Sequence, residues 1–204
     1  MNTANNNSPA VYIVDDDRSI RHAMELLMKS VGQPCHLFDS GDTFLKAYSP
    51  EWSGCLILDI RMPGIGGLEL QNELQKRSCG LPVIFITGFG DVPMAVEAIK
   101  NGAFDFIEKP FRDQELLDRI NAAIEANSQQ RIALSETAVV KERLQRLTGR
   151  EREVMDLVVT GKANKVIAHE LGVSQRTVEI HRARVMEKME AKSLPELVRM
   201  HLVN

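Results

Sequence analysis

Through the first 127 residues, short apolar runs alternate with longer stretches of mixed polarity. The runs are AVYIV (10–14), CHLF (35–38), CLIL (55–58), PVIFIT (82–87) and DFIE (105–108). All are of strand length, and unbroken apolarity such as CLIL marks a strand covered on both faces, as in parallel sheets. Between the first two, Ile20, Met24, Leu27 and Val31 recur at i, i+4, i+7 and i+11, and Gly32 closes the helix that this spacing predicts. Segments near 67–76, 92–101 and 113–127 predict further helices. Five strands separated by helices predict a doubly wound, parallel α/β sheet over residues 10–127.

Beyond residue 127 the strands stop. Residues 128–143 contain no Gly or Pro and are rich in Gln, Glu, Lys, Arg and Ala, which predicts a helical linker. Residues 144–204 predict short helices only. Thr148 followed three residues later by Glu151 is a capping-box signature, and that helix ends at Gly161. NKVIAHELGVSQRTVEIHRARVMEKM then predicts a helix, a Gly172-Val173-Ser174 turn and a longer helix. Val166, Ile167, Leu171, Val173, Val178, Val185 and Met189 are placed to brace the pair.

Charge divides along the same line. Residues 1–126 carry 11 Lys and Arg against 18 Asp and Glu, a balance of −7, while residues 127–204 carry 14 against 10, or +4; the two recover the net −3. An acidic part joined to a basic part implies different partners, an anionic polymer being the natural one for the second. The 44% hydrophobic content is that of ordinary globular domains. No apolar run approaches the ~20 residues of a membrane span, so no membrane partner is expected. Residues 1–9, within MNTANNNSPA, lack the basic and apolar regions of a signal peptide and predict a disordered tail on a cytoplasmic protein. Cys35, Cys55 and Cys79 form no C-x-x-C pair and predict buried free thiols.

The stretch CLILDIRMPG ends an apolar strand on an acid, Asp59, just before a Pro63-Gly64 turn. In open parallel sheets, chemistry collects at the carboxyl ends of strands. Asp15 and Asp16 follow the first strand, Thr87 ends the fourth and Lys109 follows the fifth. Carboxylates crowded at one edge call for a hard cation, and Mg²⁺ suits them because it accepts a few carboxylates, keeps waters and recruits phosphate oxygens. An exposed Thr87 hydroxyl and the Lys109 ammonium would serve a phosphoryl group, leaving Asp59 as the nucleophile of an aspartyl phosphate. Singly, each residue has a plainer reading: Asp17 as a helix cap, Thr87 as a strand residue, Lys109 as a solvated charge. Those readings leave the coincidence at four strand ends unexplained.

With these residues in view, positions 10–127 resemble the response-regulator receiver domain of two-component signalling, a flavodoxin-like fold with strand order 2-1-3-4-5. The resemblance implies that Asp59 is the phosphoacceptor. It implies that Asp15, Asp16, Asp59 and the backbone carbonyl of Arg61 hold Mg²⁺, and that Thr87, Phe106 and Lys109 bind the phosphoryl group or respond to it. A sensor histidine kinase would dock on the first helix and the Pro110-Phe111 loop. Residues 144–204 resemble the LuxR-type helix-turn-helix domain; the stretches 88–111 and 164–200 are most similar to the FixJ group of such regulators. Lys165, Arg176, Thr177, Glu179, Ile180, His181, Arg182, Ala183, Arg184 and Lys188 are then the residues expected to meet DNA, with Glu179, Ile180 and Ala183 on the outer face. Phosphorylation would pair two chains through Val96 and Lys100, and the last helix, 194–202, would pair them on an inverted-repeat DNA site. The implied role is regulation of transcription, expected to be activation, with RNA polymerase as a further partner.

Two other readings remain at this point. A phosphohydrolase of the aspartyl-phosphate class needs a second acid two residues after the nucleophile, where this chain has Arg61. The basic domain could instead bind protein, since any amphipathic helix pair presents a similar face.

Overall fold

In the computed structural model of the chain, residues 8–88 and 92–202 are described. The expected tail lies outside the described residues except for Ser8 and Pro9. The chain divides into two compact units, one ending at Arg131 and the other beginning at Ile132.

The first unit is a sheet of β1 (Ala10–Val14), β2 (Cys35–Phe38), β3 (Gly54–Asp59), β4 (Val83–Thr87) and β5 (Asp105–Glu108), in the order β2-β1-β3-β4-β5. Every pairing is parallel. The helices are α1 (Arg18–Ser30), α2 (Gly41–Ala47), α3 (Gly67–Lys76), α4 (Val92–Lys100) and α5 (Asp113–Gln145). Alternate strand residues feed two cores. Val11, Ile13, Ile57, Ile84 and Ile107 meet Met24 and Met28 of α1 and Leu116 and Ile120 of α5. Tyr12, Val14, Leu56, Leu58 and Phe85 meet Phe44 of α2, Leu70 and Leu74 of α3 and Ala98 of α4. Each large side chain removed from water adds about 1.5–3 kcal/mol, so both faces of the sheet are held.

Three details depart from the sequence expectation. Helix α2, capped by Ser40, is only seven residues long and has too few turns to show a period. Val31, placed by periodicity on the core stripe, follows the end of α1 and is exposed. Of the thiols only Cys55 is buried, while Cys35 and Cys79 are half-buried.

Helix α5 runs unbroken for 33 residues, joining the expected fifth helix and linker, because no Gly or Pro interrupts it. In the first unit it is fastened by buried Asn127, whose Oδ1 accepts from Gly54 N at 2.9 Å and whose Nδ2 donates to Gly80 O at 2.7 Å. Arg131 donates to Trp52 O at 3.1 Å. In the second unit Leu144 of α5 is buried with α6 (Gly149–Val159), α7 (Asn164–Leu171), α8 (Gln175–Lys188) and α9 (Leu194–Leu202). The capping box on α6 forms as expected, with Thr148 Oγ1 accepting from Glu151 N and Glu151 Oε2 from Thr148 N. Gly172 takes the left-handed conformation that ends α7, and Ser174 caps α8.

Candidate functional site

Parallel register brings the carboxyl ends of β1, β3, β4 and β5 to one edge, and with them Asp15, Asp59, Thr87 and Lys109. Asp15 is 1% exposed, Asp59 is half-buried and Asp16 faces solvent. These three offer carboxylate oxygens within 4.8 Å of one another. Lys109 Nζ lies 3.1 Å from Asp15 Oδ2 and 3.5 Å from Asp59 Oδ1. The loop is tied back on itself: Asp17 N donates to Asp15 Oδ1 at 2.8 Å, and Arg21 donates to the Asp15 carbonyl at 2.6 Å. Asp17 caps α1 by accepting from Ser19 N, so its plainer reading holds.

Burial pushes the Asp59 carboxyl above its ordinary value; Lys109 opposes the rise, while the charges of Asp15 and Asp16 add to it. The three carboxylates brought this close repel one another. The all-oxygen donor set of Asp15, Asp16 and Asp59 fits a hard divalent cation.

Thr87 corrects one expectation. Its side chain is buried, because Thr87 pairs with Glu108 inside the sheet, and its hydroxyl donates weakly to Ile107 O at 3.5 Å. Phe106 is half-buried against the core beneath α4. The sequence did not single out Gly67. A Cβ there would lie 2.4 Å from the Asp59 carbonyl, so only glycine lets α3 start this close to the acid. The Gly66-Gly67 pair before a helical stretch was the available signal. Beside this edge, Ile20, Ala23, Met24, Leu27, Pro110 and Phe111 line an apolar groove of about 320 Å³. On α4, Val96 and Lys100 are exposed, as are nearby Ile99 and Phe104.

In the second unit Ile167, Val178, Val185 and Met189 are buried between α6, α7 and α8, with Leu171 and Val173 packed beside them. Val166 is 46% exposed and does not belong to the brace, since it lies one residue off the stripe that Ile167 occupies. Arg176, Ile180, Ala183 and Arg184 of α8 and Lys165 of α7 face solvent. Several expected contacts have partners within the domain: solvent-facing Arg176 meets Glu179 at 3.3 Å, Arg182 donates to Asn164 Oδ1 at 3.1 Å, and Thr177 Oγ1 bonds Ser174 Oγ at 2.8 Å. His181 Nδ1 is buried with no hydrogen-bond partner among the described residues. Lys188, expected to meet DNA, has a partner within the domain. Its ammonium sits 2.6 Å from Glu151, whose carboxylate is 2% exposed and, held by Lys188 and Thr148 N, titrates down at about 2. Lys188 thus ties α8 to the start of α6. Gln175, exposed at the first position of α8, belongs with the outward-facing set and was not singled out.

Residues 11–121 match the response regulator receiver domain, and residues 145–201 match the bacterial regulatory proteins of the luxR family. Nodulation protein W of Bradyrhizobium diazoefficiens is 47% identical over 190 residues, 93% of this chain and 84% of the relative. The transcriptional regulatory protein FixJ of Azorhizobium caulinodans is 46% identical over 193 residues, 95% of this chain and 92% of the relative. The solved structure of the response regulator StyR superposes with a TM-score of 0.87 at 43% identity, over 96% of this chain and 99% of that one. Among the described residues no helix is long and apolar enough to cross a membrane. Receiver and helix-turn-helix domains in one chain imply a sensor kinase upstream and DNA downstream, and the relatives are regulators of transcription, not enzymes. With both matches in place and the likeness extending over nearly its whole length, the chain belongs to the two-component response regulators of the FixJ group, which regulate transcription through a LuxR-type DNA-binding domain.

Proposed function

We propose that a sensor histidine kinase phosphorylates Asp59 and that this modification makes the chain pair and bind an inverted-repeat promoter site, where it activates transcription. The observation that carries this reading is the meeting of Asp15, Asp16, Asp59 and Lys109 at one sheet edge, with carboxylate oxygens within 4.8 Å of one another. An Asp59 oxygen attacks the donor phosphorus, the bond to the donor nitrogen breaks, and the electron pair leaves with the donor. Asp59 must be ionised to attack, and the Lys109 ammonium favours that form against the burial that opposes it. Asp15, Asp16, Asp59 and the Arg61 carbonyl are the residues that would hold Mg²⁺, which when bound offsets negative charge on the phosphoryl oxygens. Lys109 holds the edge together beforehand and meets the new phosphoryl charge afterwards. Thr87 is the hydroxyl that turns toward that group and Phe106 the aromatic that follows. The groove between α1 and the Pro110-Phe111 loop receives the kinase, and Val96 and Lys100 belong to the pairing face.

On α8, Gln175, Arg176, Ile180, Ala183 and Arg184 form the outward surface for the major groove, joined by Thr177, Glu179, His181, Arg182 and by Lys165 from α7. Lys188 is assigned to the brace. Pairing in solution and on DNA brings RNA polymerase to the promoter. Footprinting of the protein treated with acetyl phosphate tests the reading: two protected half-sites in inverted orientation are expected, and protection of a single asymmetric half-site, or none, contradicts it.

A further inference from the structure

The residue that follows the C-cap of α8 is held in an unfavourable way. Glu190 has φ of 54°, a left-handed conformation that an ordinary side chain adopts only under strain. Helix ends usually place Gly or Asn there. Glu190 is fixed instead by two arginines of the α5 segment belonging to the second unit. Arg143, only 20% exposed, donates to the Met189 carbonyl at 3.1 Å and to Glu190 Oε2 at 2.5 Å. Arg146 lies 3.9 Å from Glu190 Oε1. Arg143 therefore satisfies a carbonyl at the end of α8 and neutralises the strained residue after it. Leu144 beside it is buried in the same core.

We propose that Arg143 and Glu190 form a clamp that sets the pose of the recognition helix, making Arg143 a positioning residue for DNA binding although it is not among the outward-facing groups of α8. This rests on the reading of α8 as the recognition helix. A purely architectural pair would contribute to stability alone; a clamp governs where Arg176, Ile180 and Arg184 point. Its placement gives the part of α5 that belongs to the second unit a direct hold on the end of the recognition helix.

The test uses the full chain and a labelled duplex selected by the wild type from a random pool, with affinity, its salt dependence and melting temperature measured in parallel. Arg143→Met and Glu190→Gly are each expected to weaken duplex binding about tenfold, and the double variant no more than either alone, as for residues acting together. The salt slope should stay at the wild-type value, since every cation that faces a phosphate is kept. Glu190→Gly, which relieves the left-handed strain, should keep the wild-type melting temperature while losing affinity, and Arg143→Lys should fall between wild type and Arg143→Met. Wild-type affinity in Glu190→Gly, losses that add in the double variant, or a reduced salt slope would overturn the clamp while leaving the function reading intact. If the wild type selects no duplex, the function reading fails and the clamp falls with it.

Discussion

In the receiver unit, charged side chains from residues as far apart as Asp15 and Lys109 are drawn into one partly buried edge, with Lys109 touching both Asp15 and Asp59. On α8, Arg176, Ile180, Ala183 and Arg184 come from a single stretch of nine residues and face open solvent. The first arrangement needs the whole sheet to exist, and it is sensitive to any change in the backbone beneath it. The second needs one braced helix, and its sensitivity lies in the brace: Lys188 on Glu151, Arg143 on Glu190. Buried charge is poised for chemistry on a small group, whereas exposed charge is spread for contact with a long polyanion.

The largest effect expected from either region is that of Asp59→Asn, which should abolish the single phosphoryl mass gained on treatment with acetyl phosphate while leaving the circular dichroism spectrum unchanged; label retained in this variant would place the acceptor elsewhere. Next, Arg182→Ala with Arg184→Ala should weaken duplex binding roughly ten- to a hundredfold and lower the salt slope by about one for each phosphate the protein no longer neutralises. Unchanged affinity would favour a protein partner for this domain. Gly67→Ala tests the buried edge alone, since its new methyl would lie 2.4 Å from the Asp59 carbonyl oxygen and must push it aside. It should destabilise the receiver unit by about 1–3 kcal/mol in urea and slow acetyl phosphate labelling, with DNA binding by the unphosphorylated protein untouched.

A smaller effect separates the brace from the DNA face. The Glu151 carboxyl titrates at about 2 when folded against an ordinary 4.5, so it adds stability that is complete above its unfolded value and is lost as pH falls toward the folded one. Melting of the second unit should therefore weaken in acid, below about pH 5, and Lys188→Met should remove most of that dependence. At neutral pH, Lys188→Met should cost about 1–3 kcal/mol by leaving a buried carboxylate without its partner, with no change in the salt slope of DNA binding. A lowered slope would return Lys188 to the DNA face.

What the sequence made legible follows the same division. Strands such as CLIL and PVIFIT were plain because both faces are covered, and their endings pointed to the acidic edge because parallel topology leaves little freedom there. Helix α2 escaped because seven residues carry no period, and the unbroken run of α5 was visible only as an absence of breakers. Side-chain commitments were not legible. Nothing in the spacing of Thr87 says that its neighbours in β5 bury it, and nothing in EKM says that Lys188 turns inward to Glu151. A cation on a helix looks identical whether it will meet phosphate or a buried carboxylate, because that choice depends on a partner 37 residues away.

Charge added at Asp59 is proposed to control association of the whole chain. The most direct measurement is its solution mass by light scattering in Mg²⁺, before and after beryllofluoride, for the wild type and for Asp59→Asn. A rise from monomer to dimer in the wild type alone is the predicted result; no rise in the wild type, or the same rise in Asp59→Asn, would contradict it.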